Sequence, residues 1–205
     1  ERLRHMLAKL GNWRRINAKG ELVPAHPPTL LVKSVLATPD PGLPVLVGIV
    51  MREHPSVLLT RRTAHLSTHS GQVAFPGGKV DDQDGSIAAT ALREAHEEVG
   101  LNPGHVEVLG NLSEYITGTA FIVTPVVALI QPDHVIKPNP DEVDEVFEVP
   151  LSFLMNPAHH RRHAFEAQGV RREWFSMPYQ DLQHERFIWG ATAGMLRNLY
   201  RFLSA

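Results

Sequence analysis

The sequence contains no cysteine, so it forms neither disulfides nor a thiolate metal site. That absence fits any compartment and leaves the cytoplasm as the expected one. The chain also lacks an excess of one charge. Twenty Lys and Arg stand against 22 Asp and Glu, for a formal net charge of −2. With no long basic run, a nucleic-acid partner is not expected. Long apolar runs are missing as well. The longest, near residues 44–51 and 121–130, fall short of the ~20 residues that span a bilayer, so no membrane partner is expected. No signal-peptide pattern is visible after Glu1. There are no internal repeats, no low-complexity segment and no domain-sized linker.

Hydrophobic residues make up 43% of the 205, enough for a sizeable core. The length favours one domain, since domains run to about 100–200 residues. Residues 1–28 are expected to form an N-terminal helix (2–10, with Leu3, Met6, Leu7 and Leu10 at helical spacing) and an irregular proline-bearing arm. Residues 29–205 form the main domain. Strands are expected at 30–36, 44–51, 56–61, 106–114, 121–130 and 146–149. Alternating with a central helix, they make a mixed α/β fold.

That helix follows from residues 75–101, FPGGKVDDQDGSIAATALREAHEEVGL. Ala88, Leu92, Ala95 and Val99 recur at helical spacing and predict a buried stripe. Asp84 or Ser86 is a candidate N-cap and Gly100 a candidate C-terminal stop. Glu94, Glu97 and Glu98 stand three and four residues apart, neighbours on one helix surface. The carboxylates are expected mostly off the buried stripe. Three like charges so placed repel. A solvated acidic face is one reading. A hard divalent cation, which prefers carboxylate oxygens, is the other. Gly77-Gly78 just upstream permits close backbone approach to a ligand.

This stretch resembles the Nudix box, G-x5-E-x7-R-E-U-x-E-E-x-G-U with U aliphatic. Residues 93–101, REAHEEVGL, match its second half, with Ala95 at the first U. The first half departs: Asp84 stands at the first glutamate position, and the segment to Arg93 is one residue longer. Upstream, residues 58–78, LLTRRTAHLSTHSGQVAFPGG, resemble the extended signature of the coenzyme A pyrophosphatase branch of Nudix hydrolases. The IWGATAGML stretch near the C-terminus does so too. The resemblance covers roughly residues 45–151. It implies a Nudix α/β/α sandwich on a mixed sheet. It also implies Mg²⁺ or Mn²⁺ held by Glu94, Glu97, Glu98 and the Gly78 carbonyl, and Arg93 orienting the glutamates. The implied reaction is hydrolysis of the diphosphate of coenzyme A or its thioesters. Two other readings stay open: hydrolysis of ADP-ribose or a dinucleotide, and a non-catalytic nucleotide-binding module.

The remaining candidates are weaker. Arg61, Arg62, His69 and Gln72 lie in or beside a polar loop before the glycines. Arginine suits phosphate recognition, and the resemblance places this segment beside the nucleotide. Tyr115 is a candidate for adenine stacking, against a half-buried structural role. In Nudix enzymes a glutamate from a late loop often completes the metal site or acts as base. Glu142 and Glu145 are the candidates here, and spacing does not choose between them. The His- and Arg-rich residues 156–172 read as a solvated loop. Residues 172–177 read as an edge strand, and 186–203 as the last helix, with Ile188, Ala191, Met195, Leu199 and Phe202 on its core face. The expected partner is a small-molecule nucleotide, with a homodimer left open.

Overall fold

The computed structural model describes residues 42–64, 71–167, 170–182 and 184–204, with Leu3 and the segments 14–16 and 22–24. The helix expected at 2–10 and the strand expected at 30–36 lie outside the described residues, apart from Leu3. The arm is not wholly irregular: β1 (Arg14–Ile16) and β2 (Leu22–Pro24) pair as a small antiparallel ribbon.

The main sheet is mixed. It comprises β3 (Leu43–Val50), β4 (Ser56–Arg62), β5 (Val73–Ala74), β6 (Val106–Asn111), β7 (Tyr115–Ile116), β8 (Ile122–Ile130) and β9 (Val143–Pro150). Strand β3 runs parallel to β8, from Leu43 opposite Val123 to Val50 opposite Ile130. All other pairings are antiparallel. The parallel pair sits centrally and is buried along nearly its whole length, which is why both strands read as continuous apolar runs.

Helix α1 (Ile87–Val99) covers one face, where Leu46, Val50 and Leu58 meet Ala91, Ala95 and Val99. On the other face Val47, Ile49, Val57 and Leu59 meet Leu196 and Leu199 of α3 (Gly190–Leu203). A short α2 (Leu151–Leu154) follows β9. These layers form the expected α/β/α sandwich.

The C-terminal third departs from expectation. Residues 156–172 are not a solvated loop. After one 3-10 turn at Pro157–His159, β10 (Arg161–Ala167) pairs with β11 (Val170–Gln180). Strand β11 is central, not an edge, because β12 (Glu185–Trp189) pairs on its other side. The last helix therefore begins at Gly190 rather than Arg186. Ile188 lies at a spacing that also fits a helix, but Arg186 and Ile188 are buried while their neighbours are exposed, a period of two. Gly190, at φ 63°, turns the strand into the helix.

Candidate active site

Helix α1 is stopped cleanly at both ends. The Ser86 hydroxyl accepts from Ala89 N–H at 3.1 Å, and Asp84 does not cap. Gly100 adopts the left-handed conformation, φ 68°. Its N–H donates to His96 O (2.9 Å), and Leu101 N–H donates to Ala95 O (3.3 Å), so orphan carbonyls of the last turn are satisfied. The Asp84 carboxylate instead receives Arg93 Nε at 3.0 Å on Oδ1 and Arg93 Nη2 at 3.0 Å on Oδ2. It also accepts Asp81 N–H and the Thr90 hydroxyl. The Arg93 guanidinium holds Asp84 well below the usual carboxylate range.

Arg93 reaches the other way too. Its Nη1 donates to Glu94 Oε1 (3.0 Å) and Glu97 Oε2 (2.9 Å), and its Nη2 to Lys79 O (2.9 Å). One side chain thus ties the acidic loop to two helix carboxylates. The three glutamates differ in burial: Glu97 is 52% exposed, Glu94 15% and Glu98 4%. Glu97 and Glu94 thus lie off the buried stripe as expected, and Glu98 is the exception. The buried stripe keeps the expected Ala95 and Val99 and adds Thr90, Ala91 and Glu98, while Ala88 and Leu92 are only half-buried.

Glu98 Oε2 accepts Gly77 N–H at 3.1 Å, and Oε1 faces Arg62 Nη1 at 3.5 Å. Burial pushes Glu98 up to about 7, against the Gly77 hydrogen bond and the Arg62 charge, while Glu142 and Glu94 push the same way as burial. Burial raises Glu94 as well, with Arg93 opposing. The glycine pair is required by close approach. Gly77 bridges Val45, and a Cβ there would lie 2.4 Å from Pro44 O. A Cβ on Gly78 would lie 2.4 Å from the carboxyl carbon of Glu94.

The late loop closes onto the same helix. Lys137 N–H donates to Val99 O and Asn139 N–H to Glu98 O, each at 2.8 Å, which occupies carbonyls the helix cannot use itself. The Asn139 side chain accepts from Asp141 N–H (3.2 Å) and donates to Glu142 Oε1 (3.1 Å). Glu142 is thereby near enough to raise the proton affinity of both Glu94 and Glu98. Asn139 had no place among the sequence candidates; the Asn-Pro dipeptide at 139–140 signals a turn but not a side-chain tether.

Glu145 is placed differently. Arg186 of β12, itself 5% exposed, grips both of its carboxylate oxygens. Arg61 joins this group through Asp144 (2.7 Å) and Glu145 (3.3 Å). Consecutive arginines therefore diverge, Arg62 towards α1 and Arg61 towards β12, as side chains on a strand alternate. Gln72 accepts Arg62 N–H through its backbone carbonyl. His69 lies outside the described residues.

Tyr115 packs on α3, where a Cβ at Gly194 would lie 2.6 Å from its hydroxyl, and burial pushes that hydroxyl up. Two of the three clustered histidines are spent on the turn after α2. His159 bonds Phe153 O, and His160 bonds Leu154 O and Arg197.

The sequence profile of the NUDIX domain matches residues 42–184. The chain belongs to the Nudix family. The uncharacterized Nudix hydrolase NudL of Escherichia coli O1:K1 / APEC is 45% identical over 156 residues, 76% of this chain and 79% of NudL. NudL of Shigella boydii serotype 18 matches to the same extent. Among solved structures, the Nudix hydrolase RenU from M. smegmatis is 26% identical over 54% of this chain and 71% of its own, with TM-score 0.46. The MutT/nudix family protein from Enterococcus faecalis is 18% identical over 84% and 66%, with TM-score 0.48.

Nudix hydrolases generally use divalent metal ions. Among the described residues no three His, Asp or Glu side chains converge on one point: Glu94 and Glu97 bend to Arg93, and Glu98 to Gly77 and Arg62. The donor chemistry nevertheless fits a hard cation. The Nudix helix offers three carboxylates, of which buried Glu98 and half-buried Glu94 have raised proton affinity, and the Gly78 backbone lies directly against Glu94. Among the described residues no helix is long and apolar enough to cross a membrane.

Proposed function

We propose that this Nudix protein is a metal-dependent diphosphatase. It would cleave coenzyme A or its thioesters to 4′-phosphopantetheine, or the acyl derivative, and adenosine 3′,5′-bisphosphate. The observation that carries the hydrolase reading is the pair of buried Glu98 and half-buried Glu94, with Glu142 acting on both, against the Gly77-Gly78 backbone. The choice of coenzyme A rests on residues 58–78 and the IWGATAGML stretch, whose resemblance is to that branch.

Glu94, Glu97, Glu98 and the Gly78 carbonyl would hold Mg²⁺ or Mn²⁺. When bound, such an ion neutralises charge on phosphoryl oxygens and acidifies a coordinated water. Arg93, itself anchored by Asp84, holds Glu94 and Glu97 on one guanidinium nitrogen and would hand them to the ion when it binds. Glu142 is the better general base of the two late-loop candidates, because Glu145 is committed to Arg186. Its carboxylate takes one proton from water; the water oxygen bonds to one phosphorus, and the bridging P–O bond breaks with its electrons leaving on the other phosphate. Arg62, which faces Glu98, would be the arginine to meet substrate anion, since Arg61 is paired with Asp144 and Glu145.

A competition assay on coenzyme A, 3′-dephospho-coenzyme A and ADP-ribose, with product identification, tests this reading. Coenzyme A is expected to show the highest kcat/KM. Preference for ADP-ribose overturns the substrate and leaves the diphosphatase standing. No metal-dependent turnover of any of them overturns this reading and leaves a dinucleotide hydrolase or a binding module.

A further inference from the structure

The three-stranded sheet β10–β11–β12 has one face that the diphosphatase site does not use. Its inner face, with Phe175, Met177 and Ile188, packs into the core that includes α3. On its outer face the strand register brings Phe165, Trp174, Phe187 and Trp189 together. Three of these rings are well exposed: Phe165 50%, Phe187 45% and Trp189 39%. The outer face of an antiparallel sheet is ordinarily polar, and a contiguous apolar patch marks an interaction site. The rings are also held in place. His163 stacks on Trp174 at 4.0 Å and bonds Ser176, and Trp174 meets Trp189 edge-on at 5.7 Å. Rings already ordered lose little freedom on binding.

The charges at the two ends of this face identify the partner. Arg172, opposite Phe165, stands at one end, and Glu185, opposite Gln180, at the other. They are separated by roughly 26 Å at ~3.3 Å per residue along β11. Both are exposed. A membrane or a nucleic acid presents one sign of charge and matches only one end. A second copy turned over about a two-fold axis across the strands lays Arg172 on Glu185 twice, with Trp174 near Phe187 of the other copy. We propose that this aromatic face is the interface of an isologous homodimer. The same axis brings Arg161, at the exposed β10 margin, near its own copy at the rim.

Sedimentation equilibrium of the whole protein tests the inference. A dimer is expected at or below about 100 µM. Phe165→Glu and Trp189→Glu should each give monomers with unchanged far-UV circular dichroism. Two variants are used because Trp189 adjoins the start of α3. Arg172→Glu and Glu185→Arg should each weaken the dimer about 10-fold or more, since each sets like charges together. The double variant should recover, because the pair returns with its signs exchanged. Arg161→Ala should tighten the dimer by relieving repulsion. A monomeric wild type overturns the inference and leaves the face to another partner. A dimer that survives both aromatic variants, or a double variant no tighter than the singles, also overturns it. None of these outcomes bears on the diphosphatase reading.

Discussion

Glu98 is a carboxylate placed where a carboxylate is costly. Its proton affinity in the fold, raised to about 7, lies above that of the unfolded chain. The folded state therefore binds more protons between the two values, and stability falls as pH rises from about 4.5 through 7. Glu98→Gln should remove that fall. In chelator at pH 8 its stability should exceed that of the wild type by up to about 3 kcal/mol, seen as a higher melting temperature, and the two should match near pH 4. Turnover at saturating Mg²⁺ should drop by at least ~100-fold, in the range of a lost electrostatic group. A variant that is more stable and inactive is the signature of a functional carboxylate; normal turnover removes Glu98 from the site. The late-loop pair separates in the same way. Glu142→Gln should cut turnover strongly with little change in stability. Glu145→Gln should instead cost about 1–3 kcal/mol by weakening the grip on buried Arg186, with turnover largely kept. Chemical denaturation beside steady-state kinetics reads both.

At the scale of elements, the site depends on two close approaches to α1. One is the glycine turn. Gly78→Ala would set a Cβ against the Glu94 carboxylate, the mobile end of a side chain, so the fold should survive while Glu94 is displaced. Activity should fall at least ~10-fold. Gly85→Ala is the control, because nothing lies within 4 Å of a Cβ there. Equal activities in the two variants would refute a role for the Gly78 approach. The other is the loop laid along the end of the helix. Asn139→Ala removes the side-chain bonds to Glu142 and to Asp141 N–H and leaves the backbone bond to Glu98 O. It should lower kcat with KM nearly unchanged, since Glu142 is proposed to act on the water and not on the substrate.

At the scale of the molecule, bound metal should act on stability as well as on rate. Repelling carboxylates that gather a cation only in the folded state gain stability with its concentration. Mg²⁺ or Mn²⁺ should raise the melting temperature of the wild type at pH 8, and much less that of Glu98→Gln. EDTA should abolish diphosphatase activity reversibly. Full activity in excess EDTA would sink the metal-dependent mechanism.

The sequence by itself determined the mixed α/β fold, the presence of α1 and its C-terminal stop, the central strands and the glutamate set. These are written in short-range pattern: 3.6-residue spacing, Gly100 at the helix end, apolar runs at β3 and β8; the choice of Ser86 over Asp84 as N-cap came from the structure. The tertiary structure alone decided what depends on which side of an element meets which neighbour. Spacing showed that Glu94, Glu97 and Glu98 share a surface but not that Glu98 lies beneath Gly77. That depends on how α1 is rotated against β3. Arg61 and Arg62 looked equivalent until strand alternation sent them to opposite faces. Glu142 and Glu145 were inseparable until Asn139 and Arg186, 47 residues apart in number, claimed one each. Strand β11 was read in part, as an edge, but its neighbours β10 and β12 were missed because polar side chains fill much of both, and Ile188 fits both a helical and an alternating period. Only pairing with β11 selects between them.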